Sequence, residues 1–552
     1  MVAAPDRLDS ELPLSRHRRG AVVAGKSRPL SRRHHPPGNF PLTGSESFVA
    51  LRRMMKRTSL GALFVFLAAT VRAHVQLPAF FSDNMVLQQG VPVTVWGWAH
   101  EGDVVTVKFR GQTVSATTHN LKWSLKLRAL KAGGPDTLTV GTKQHTLPLT
   151  NVLVGEVWVA SGQSNMEWPL RQAFQPDDDI ASATNTLIRL FHVPKMKSDS
   201  PTVKIKASWQ VCSPQAVPGF SAVGYYFGRD LQAARKVPVG MIETDWGGSP
   251  AEAWMSREAL EISGRYQTEV LDTYATAEKN YRDALAAWAK EKAEAEAGKQ
   301  EFKKAAPGLG WKPSELYNGM IAPLVPFAIK GAIWYQGESN AGRAEQYRSL
   351  FADMIRGWRR DWGNDFTFLC VQLAPFTAVK EQPEESAWAE LREAQLLATT
   401  KLPAVGMAVI TDVGDPKDIH PKKKQPVGAR LALAARGIAY GEKIEFSGPQ
   451  YRKLEVKADK AVLHFGHVGK GLEARDGELK GFAICGEDKN FVWGKAEIAG
   501  DTVVVSSPQV AKPVAVRYGW ANCPVVNFWN KDGLPASPFR TDDFPMITAV
   551  KK

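Results

Sequence analysis

An apolar run that ends abruptly at a small polar turn is the feature that most constrains the fold of this chain. The run covers residues 157–160, and the turn after it contains Gly162 and Ser164. The same plan recurs at 239–250 and at 332–340. Short apolar runs bounded by turns indicate buried strands, and ligands bind at the carboxyl ends of strands in an α/β sheet. The pattern therefore predicts an α/β domain with polar turns along one edge of a parallel sheet.

Ser164 is a candidate nucleophile, because a serine on such a turn directs its hydroxyl into the cleft. Taken alone, such a serine is more often a turn residue or a helix cap. A second loop, 412–421, carries several acidic residues, His420 and Pro421, and the proline fixes the backbone just after the imidazole. A nucleophilic serine needs a base, and the base needs an orienting carboxylate. The two loops together favour a catalytic interpretation.

Two further turns are candidate oxyanion-binding elements. Gly247 and Gly248 let backbone N–H groups approach a substrate closely. The turn within 332–340 adds side-chain amides, which are further hydrogen-bond donors. Each turn alone is typical of an ordinary strand-to-helix connection. Their recurrence after apolar runs in one region favours a shared active site.

Four segments in combination resemble the sialate O-acetylesterase family of SGNH hydrolases. They are Gly162-Gln163-Ser164-Asn165-Met166, Trp246-Gly247-Gly248, Trp334-Tyr335-Gln336-Gly337-Glu338-Ser339-Asn340 and Asp418-Ile419-His420-Pro421. The resemblance extends from about His74 to the C-terminus. It implies an SGNH-type, flavodoxin-like parallel sheet as the catalytic domain, flanked by N- and C-terminal β domains.

The resemblance also implies roles for individual residues. Ser164 is expected to be the nucleophile and His420 the general base. The backbone N–H groups of Ser164 and of Gly247 or Gly248, with the side chain of Asn340, are expected to form the oxyanion hole. No metal or organic cofactor is expected.

The acid of the triad departs from the common pattern. Many SGNH hydrolases place an aspartate three residues before the histidine, and Lys417 holds that position here. Asp418 is our first choice for the acid, and Asp415 is the alternative. A Ser-His pair without an essential acid is the third possibility.

The third motif departs as well. Two residues separate Gly337 from Asn340, where the usual pattern has one. Gln336 or Glu338 is therefore an alternative to Asn340 at the expected donor position.

The sequence thus predicts an exported serine esterase that removes O-acetyl groups from carbohydrate, similar to sialate 9-O-acetylesterases. The expected partner is an O-acetylated glycan or sialoglycan. One alternative substrate is an acetylated plant polysaccharide such as acetylxylan or xyloglucan. A second alternative is a carbohydrate-binding protein on the same fold without catalysis, and intact Ser164 and His420 argue against it.

The charge distribution argues against a nucleic-acid partner. The net charge is +14, but residues 1–57 hold twelve Lys or Arg and four Asp or Glu, so the remainder carries only about +6. A nucleic-acid-binding domain is expected to show a basic stripe on its folded part. The sequence shows no phosphate-binding glycine loop and no zinc-spaced Cys/His cluster.

The N-terminal region predicts export. Residues 1–53 are basic and poor in apolar residues, which indicates either a disordered leader or an artefact of the gene model. Residues 54–73 have the basic start, short apolar core and small-residue end of a signal peptide, with cleavage near Ala73-His74. The apolar run is too short for an ordinary membrane span, so no integral span is expected. The predicted location is secreted or periplasmic.

Periodicity divides the remainder into three parts. Residues 74–150 are predicted to form an N-terminal β-sandwich, 151–440 the esterase domain, and 441–552 a C-terminal β domain. Within the esterase domain, about 255–312 is predicted to be a helical insertion, which we interpret as a helical hairpin. The four cysteines are too few for a disulfide scaffold, and Cys485 and Cys523 are a candidate pair after export.

Overall fold

The computed structural model of the protein describes residues 75–550 of the 552-residue chain. The predictions for residues 1–53 and 54–73 lie outside the described residues. Strands and helices are numbered below in chain order. None of the helices in the described part is long and apolar enough to cross a membrane.

The first part of the chain forms antiparallel β structure that leads directly into the central sheet. Its strands are β1 (Val86–Gln88), β2 (Val93–Trp98), β3 (Val104–Phe109), β4 (Gln112–Thr117), β5 (Lys122–Leu127), β6 (Gly133–Gly141) and β7 (Thr146–Gly162). Buried residues alternate with more exposed ones along β2 and β5, as expected for strands with one face on the core. β2 pairs with β5, while β3 pairs with β4 and β6. The domain boundary predicted at residue 150 lies inside β7, so the two regions share this 17-residue strand.

The central sheet is mainly parallel and carries helices on both faces. Its further strands are β8 (Ile188–His192), β9 (Trp209–Val211), β10 (Val239–Asp245), β11 (Gly331–Tyr335), β12 (Thr367–Val371) and β13 (Val405–Ala408). They lie in the order β13-β12-β11-β7-β10-β8-β9, and only β9 is antiparallel to its neighbour in this series. Asp245 of β10 and Tyr335 of β11 both stand beside Gly162 of β7. Three strands therefore end at one level, and their following turns are brought together.

The helices are α1 (Ser164–Glu167), α2 (Asp177–Ala181), α3 (Ala222–Arg235), α4 (Arg257–Glu261), α5 (Gly264–Tyr266), α6 (Thr273–Ala297), α7 (Ala344–Trp362), α8 (Ala387–Lys401) and α9 (Gln425–Ile438). Helices α3 and α9 pack on the central sheet and share one hydrophobic core with it. Helices α7 and α8 contribute to a second hydrophobic core. Helix α3 begins at Ser221, whose side chain accepts the N–H of Gly224, and α7 ends at Gly363 in the left-handed conformation. The predicted α/β organisation is confirmed in this respect.

The helical insertion is present, but its interpretation as a hairpin was wrong. Helix α6 is 25 residues long and has no buried residue. The chain that follows, at 300–312, contains no helix. It has no regular secondary structure and contacts α6, with the Trp288 indole donating to the carbonyl of Lys304 at 2.8 Å. Pro307, Gly308 and Gly310 disfavour a second helix.

The C-terminal β region predicted from residue 441 onward forms three small sheets around its own core. Its strands are β14 (Gln450–Lys457), β15 (Lys460–Gly466), β16 (Leu472–Ala474), β17 (Phe482–Cys485), β18 (Val492–Trp493), β19 (Lys495–Ala499), β20 (Thr502–Ser506), β21 (Ala515–Tyr518), β22 (Phe528–Asn530), β23 (Leu534–Pro535) and β24 (Phe539–Arg540). Cys485 and Cys523 are both buried and free in this structure, so they do not form the candidate disulfide.

Candidate active site

Ser164 begins helix α1 immediately beyond the carboxyl end of β7. Gly162 has φ +144°, and a Cβ added there would lie 2.1 Å from the carbonyl oxygen of Tyr335. Only glycine therefore lets β7 pass β11 at this point. The side-chain oxygen of Gln163 accepts the backbone N–H of Gly337 at 3.3 Å. These contacts fix the serine turn against the third motif.

The structure brings Ser164 and His420 together, with 2.9 Å between Oγ and Nε2. His420 lies in the loop between β13 and α9, and the indole of Trp168 stacks on its imidazole at 5.3 Å. Burial, followed by the positive charge of Lys424, lowers the pKa of His420, while Asp418 opposes the shift. A neutral imidazole next to a hydroxyl is equipped to accept its proton, so this pair can generate a nucleophile.

The two candidate acids occupy different positions in the same loop. Oδ1 of Asp418 lies 3.8 Å from Nδ1 of His420, and the same oxygen accepts the backbone N–H of His420 at 2.9 Å. Asp415 instead accepts the backbone N–H of Lys417 at 2.8 Å. Of the two carboxylates, Asp418 is therefore the one placed beside the imidazole, although 3.8 Å is too long for a hydrogen bond.

The glycine turn after β10 lies against the serine. A Cβ added to Gly247 would be 3.3 Å from Cβ of Ser164. The backbone N–H of Gly247 donates to Glu167 at 2.6 Å, and Glu167 also pairs with Lys195 at 2.5 Å. Gly248 has φ +74°, and the space around an added Cβ is open. The turn is adjacent to Ser164, but one of its backbone N–H groups, that of Gly247, already donates to the carboxylate of Glu167.

Asn340 is 1% exposed and belongs to a buried network away from the serine hydroxyl. Its side-chain oxygen accepts the N–H of Ala251 at 2.9 Å and the Gln336 amide at 2.7 Å. Its side-chain nitrogen donates to Glu252 at 2.9 Å. The structure therefore brings neither Asn340 nor Gln336 into hydrogen-bond contact with Ser164.

Three side chains around the pair were not assigned roles from the sequence. Trp168 covers the imidazole, Glu167 holds the glycine turn, and Lys424 contacts Asn165 at 2.5 Å. Glu338, an alternative oxyanion donor, instead accepts from Asn165 at 2.6 Å. Asn165 lies within the recognised serine motif, which was a signal for its importance. Nothing in the sequence distinguished Lys424 from its lysine neighbours.

A cavity of about 360 Å³ opens on the histidine side of the pair. Its walls include Asp415, Asp418, His420 and the exposed ring of Phe174. Within residues 75–550, no group of three or more His, Cys, Asp or Glu side chains is arranged to hold a metal ion. The cavity provides space next to the imidazole for part of a substrate.

The chain is similar to known carbohydrate acetylesterases. A family described as "Carbohydrate esterase, sialic acid-specific acetylesterase" matches residues 295–436. Sialate O-acetylesterase from Rattus norvegicus is 30% identical over 513 residues, which cover 84% of this chain and 93% of the rat protein. The Homo sapiens enzyme is 29% identical, covering 84% and 91% respectively. A crystal structure of a carbohydrate acetylesterase from Xanthomonas citri is 41% identical with a TM-score of 0.74, covering 85% of this chain and all of that one.

A serine hydrogen-bonded to a histidine at the carboxyl end of a central parallel strand is suited to acyl transfer. The protein is a carboxylic ester hydrolase. The similarity to known proteins also identifies the family within the carboxylic ester hydrolases. The chain belongs to the sialate O-acetylesterase family, because the match to the rat enzyme spans most of both proteins.

Proposed function

We propose that this protein is an exported SGNH-type serine esterase that removes O-acetyl groups from carbohydrate, with 9-O-acetylated sialic acid as the first candidate substrate. The observation that carries the proposal is the 2.9 Å contact between Ser164 Oγ and His420 Nε2 at the end of β7. The family relationship supports an acetylated sugar as the ester.

The order of the parallel strands supports the SGNH-type assignment. Strands β10, β7, β11, β12 and β13 are neighbours in that order. Counted in chain order, they follow the flavodoxin-like sequence 2-1-3-4-5, and β8 adds a further strand beside β10. Ligands bind in such sheets where the strand order reverses, and Ser164 follows the central strand β7 at that point.

The proposed reaction passes through an acetyl-enzyme. Oγ of Ser164 attacks the acetyl carbonyl carbon while His420 takes the hydroxyl proton. The tetrahedral intermediate collapses as His420 returns this proton to the departing sugar oxygen, and the C–O bond to the sugar breaks. Water then attacks the acetyl carbon of the acetyl-serine while His420 takes its proton. His420 returns this proton to Oγ of Ser164 as the bond between the acetyl carbon and Oγ breaks, which releases acetate and restores the enzyme.

The oxyanion of the intermediate is proposed to bind backbone N–H groups of Ser164 and of the turn at Gly247 and Gly248. The N–H of Gly247 becomes available once substrate displaces the carboxylate of Glu167, which accepts it in this structure. Asn340 is proposed to brace this turn through its bond to Ala251 instead of donating directly.

A second candidate substrate is an acetylated plant polysaccharide. The 41% identity to a Xanthomonas citri protein described only as a carbohydrate acetylesterase exceeds the 30% identity to the rat sialate enzyme, so an acetylated sugar other than sialic acid is also a candidate. The same Ser-His chemistry serves either ester, so the difference lies in the sugar and not in the reacting atoms.

Acetate release from sialylated mucin, acetylxylan and acetylated xyloglucan, measured side by side with Ser164→Ala as the control, tests the proposal. We expect the wild-type enzyme to release acetate fastest from the sialylated substrate. Faster release from xylan or xyloglucan would transfer the proposal to the plant polysaccharide. Release from none of them, and none from p-nitrophenyl acetate, would favour a carbohydrate-binding protein without catalysis.

A further inference from the structure

A chain of buried polar side chains lies directly behind the catalytic serine. Asn165, which follows Ser164, is fully buried. Its side-chain nitrogen donates to Glu338 at 2.6 Å and to the carbonyl of Ile419 at 3.0 Å. Its side-chain oxygen accepts from Nζ of Lys424 at 2.5 Å. One side chain thus ties the serine turn to the third motif, to the histidine loop and to the start of α9.

Lys424 is an unusual member of this group. It is 1% exposed, whereas Lys422 and Lys423 beside it are exposed. Within residues 75–550 its ammonium group forms no ion pair with a carboxylate, and the rings of Tyr335 and Trp168 lie 5.2 Å and 5.8 Å away. Burying an ammonium group costs several kcal/mol unless partners compensate for the lost water. Such a group beside the nucleophile points to a role in the site.

The ionisable groups here come from three elements that face one another. His420 and Asp418 lie in the loop after β13, Glu338 and Tyr335 lie at the end of β11, and Lys424 precedes α9. Burial raises the pKa of Glu338 and of the Tyr335 phenol, and it lowers the pKa of Lys424 to about 7. A positive charge on Lys424 disfavours a second positive charge on His420, which matches the direction in which the pKa of His420 is shifted.

We propose that Lys424 is a positioning residue of the catalytic pair: through Asn165 it holds the serine turn against the histidine loop, and its ammonium group places a buried positive charge beside the Trp168 ring on which His420 stacks. The first role needs only a hydrogen-bond donor, which a neutral amine also supplies. The second role needs the positive charge, which Asp418 partly offsets at the imidazole.

The inference rests on the proposed function, but it concerns the pair and not the sugar. Because Lys424 is buried, it is not expected to touch substrate, and its replacement is expected to change kcat and leave KM nearly constant. Misplacing reacting groups by about 1 Å costs on the order of 100-fold in rate. We therefore expect Lys424→Met to lower kcat by about 10- to 100-fold.

The charge role has a separate signature in the pH dependence of kcat/KM for p-nitrophenyl acetate. The acid limb of this profile reports the free-enzyme pKa of His420. Removing a neighbouring positive charge favours the protonated imidazole, so Lys424→Met and Lys424→Gln are expected to move the limb to higher pH by about 0.5–1 unit. Lys424→Arg retains the charge and is expected to leave the limb in place, even where kcat falls.

Lys443→Met is the matched control, since this lysine is exposed beyond the end of α9. It is expected to change neither kcat nor the acid limb. Circular dichroism establishes whether each variant is folded. If Lys424→Met does not fold, Lys424→Gln replaces it as the neutral variant. An unmoved acid limb in the folded neutral variants would overturn the charge role, and wild-type kcat in them would overturn the positioning role. A wild-type enzyme inactive on p-nitrophenyl acetate and on all three acetylated glycans would instead refute the proposed function itself.

Discussion

Replacing Asp418 with asparagine tests which acid serves the catalytic histidine. Oδ1 of Asp418 lies 3.8 Å from Nδ1 of His420 and also accepts the backbone N–H of the same histidine at 2.9 Å. Asparagine retains a side-chain oxygen that can accept this backbone bond. The loop is therefore expected to keep its shape in Asp418→Asn, while the negative charge beside the imidazole is lost.

The size of the effect follows from this geometry. Two unit charges about 4 Å apart attract by about 1 kcal/mol in water and by about 4 kcal/mol at an effective dielectric constant of about 20. This range corresponds to a loss in kcat of about 5- to 1000-fold. Because the Asp418 side chain is 42% exposed, the lower part of the range is expected, below the roughly 10⁴-fold loss found for a buried triad aspartate.

The pH dependence of kcat/KM provides an independent test of the role of Asp418. Asp418 raises the pKa of His420 by stabilising the imidazolium. Its neutralisation is therefore expected to lower that pKa and to move the acid limb of kcat/KM to lower pH. This direction is opposite to the one expected for neutral replacements of Lys424, so the two variants test the sign of each charge.

Asp415→Asn is the matched comparison, because Asp415 contacts the backbone of Lys417 and asparagine preserves an acceptor there. It is expected to change kcat by no more than about 3-fold, within the usual range for a surface substitution. Both variants are assayed on p-nitrophenyl acetate across pH, with circular dichroism as the folding control. A severe Asp415→Asn with a mild Asp418→Asn would reverse the assignment. Two mild variants would indicate a Ser-His pair without an essential acid.

Three further outcomes are expected. Gly247→Ala places a methyl group 3.3 Å from Cβ of Ser164, and kcat for p-nitrophenyl acetate should fall about 10- to 100-fold; an unchanged kcat would show that the turn does not constrain the serine. Asn340→Ala leaves buried polar groups unpaired, so urea denaturation should show a loss of about 1–3 kcal/mol in the free energy of unfolding; wild-type stability would contradict this network. Protein expressed from Met55 in a secreting host should be cleaved after Ala73, and N-terminal sequencing that still finds Met55 would count against export.

The contact between Ser164 and His420 was predictable from the sequence because its signals are local. Ser164 follows an apolar run that predicts a buried strand, and His420 lies in a loop bounded by Pro421. Parallel strands in one sheet end at the same edge, so residues 256 positions apart were expected to meet.

The partners of buried polar side chains were not predictable in the same way. Asn340 was expected to donate to the oxyanion, but its amide binds Glu252, which lies 88 positions away. Lys424 is the last of three consecutive lysines, a pattern that indicates a solvent-exposed surface. In the folded chain this lysine is 1% exposed and contacts Asn165, with the rings of Trp168 and Tyr335 nearby. Both features depend on tertiary contacts that no local spacing encodes.

Element boundaries show a further limit of local reasoning. The composition changes near residue 150, but β7 runs through that point because hydrogen bonds to both β6 and β10 extend it. The helical insertion predicted at about 255–312 contains α6, whereas the hairpin interpretation gave too little weight to Pro307 and the neighbouring glycines. Helix breakers in the segment after α6 were the signal that the interpretation missed.

The most direct test of the central claim is kcat/KM of Ser164→Ala on the acetylated glycan that the wild-type enzyme hydrolyses fastest. The hydroxyl hydrogen-bonds His420, and its removal is expected to leave the circular dichroism spectrum unchanged. We predict a loss of about 10⁴- to 10⁶-fold in turnover, as for other triad serines. A folded Ser164→Ala enzyme that releases acetate at a rate near that of wild type would contradict the assignment of Ser164 as the nucleophile.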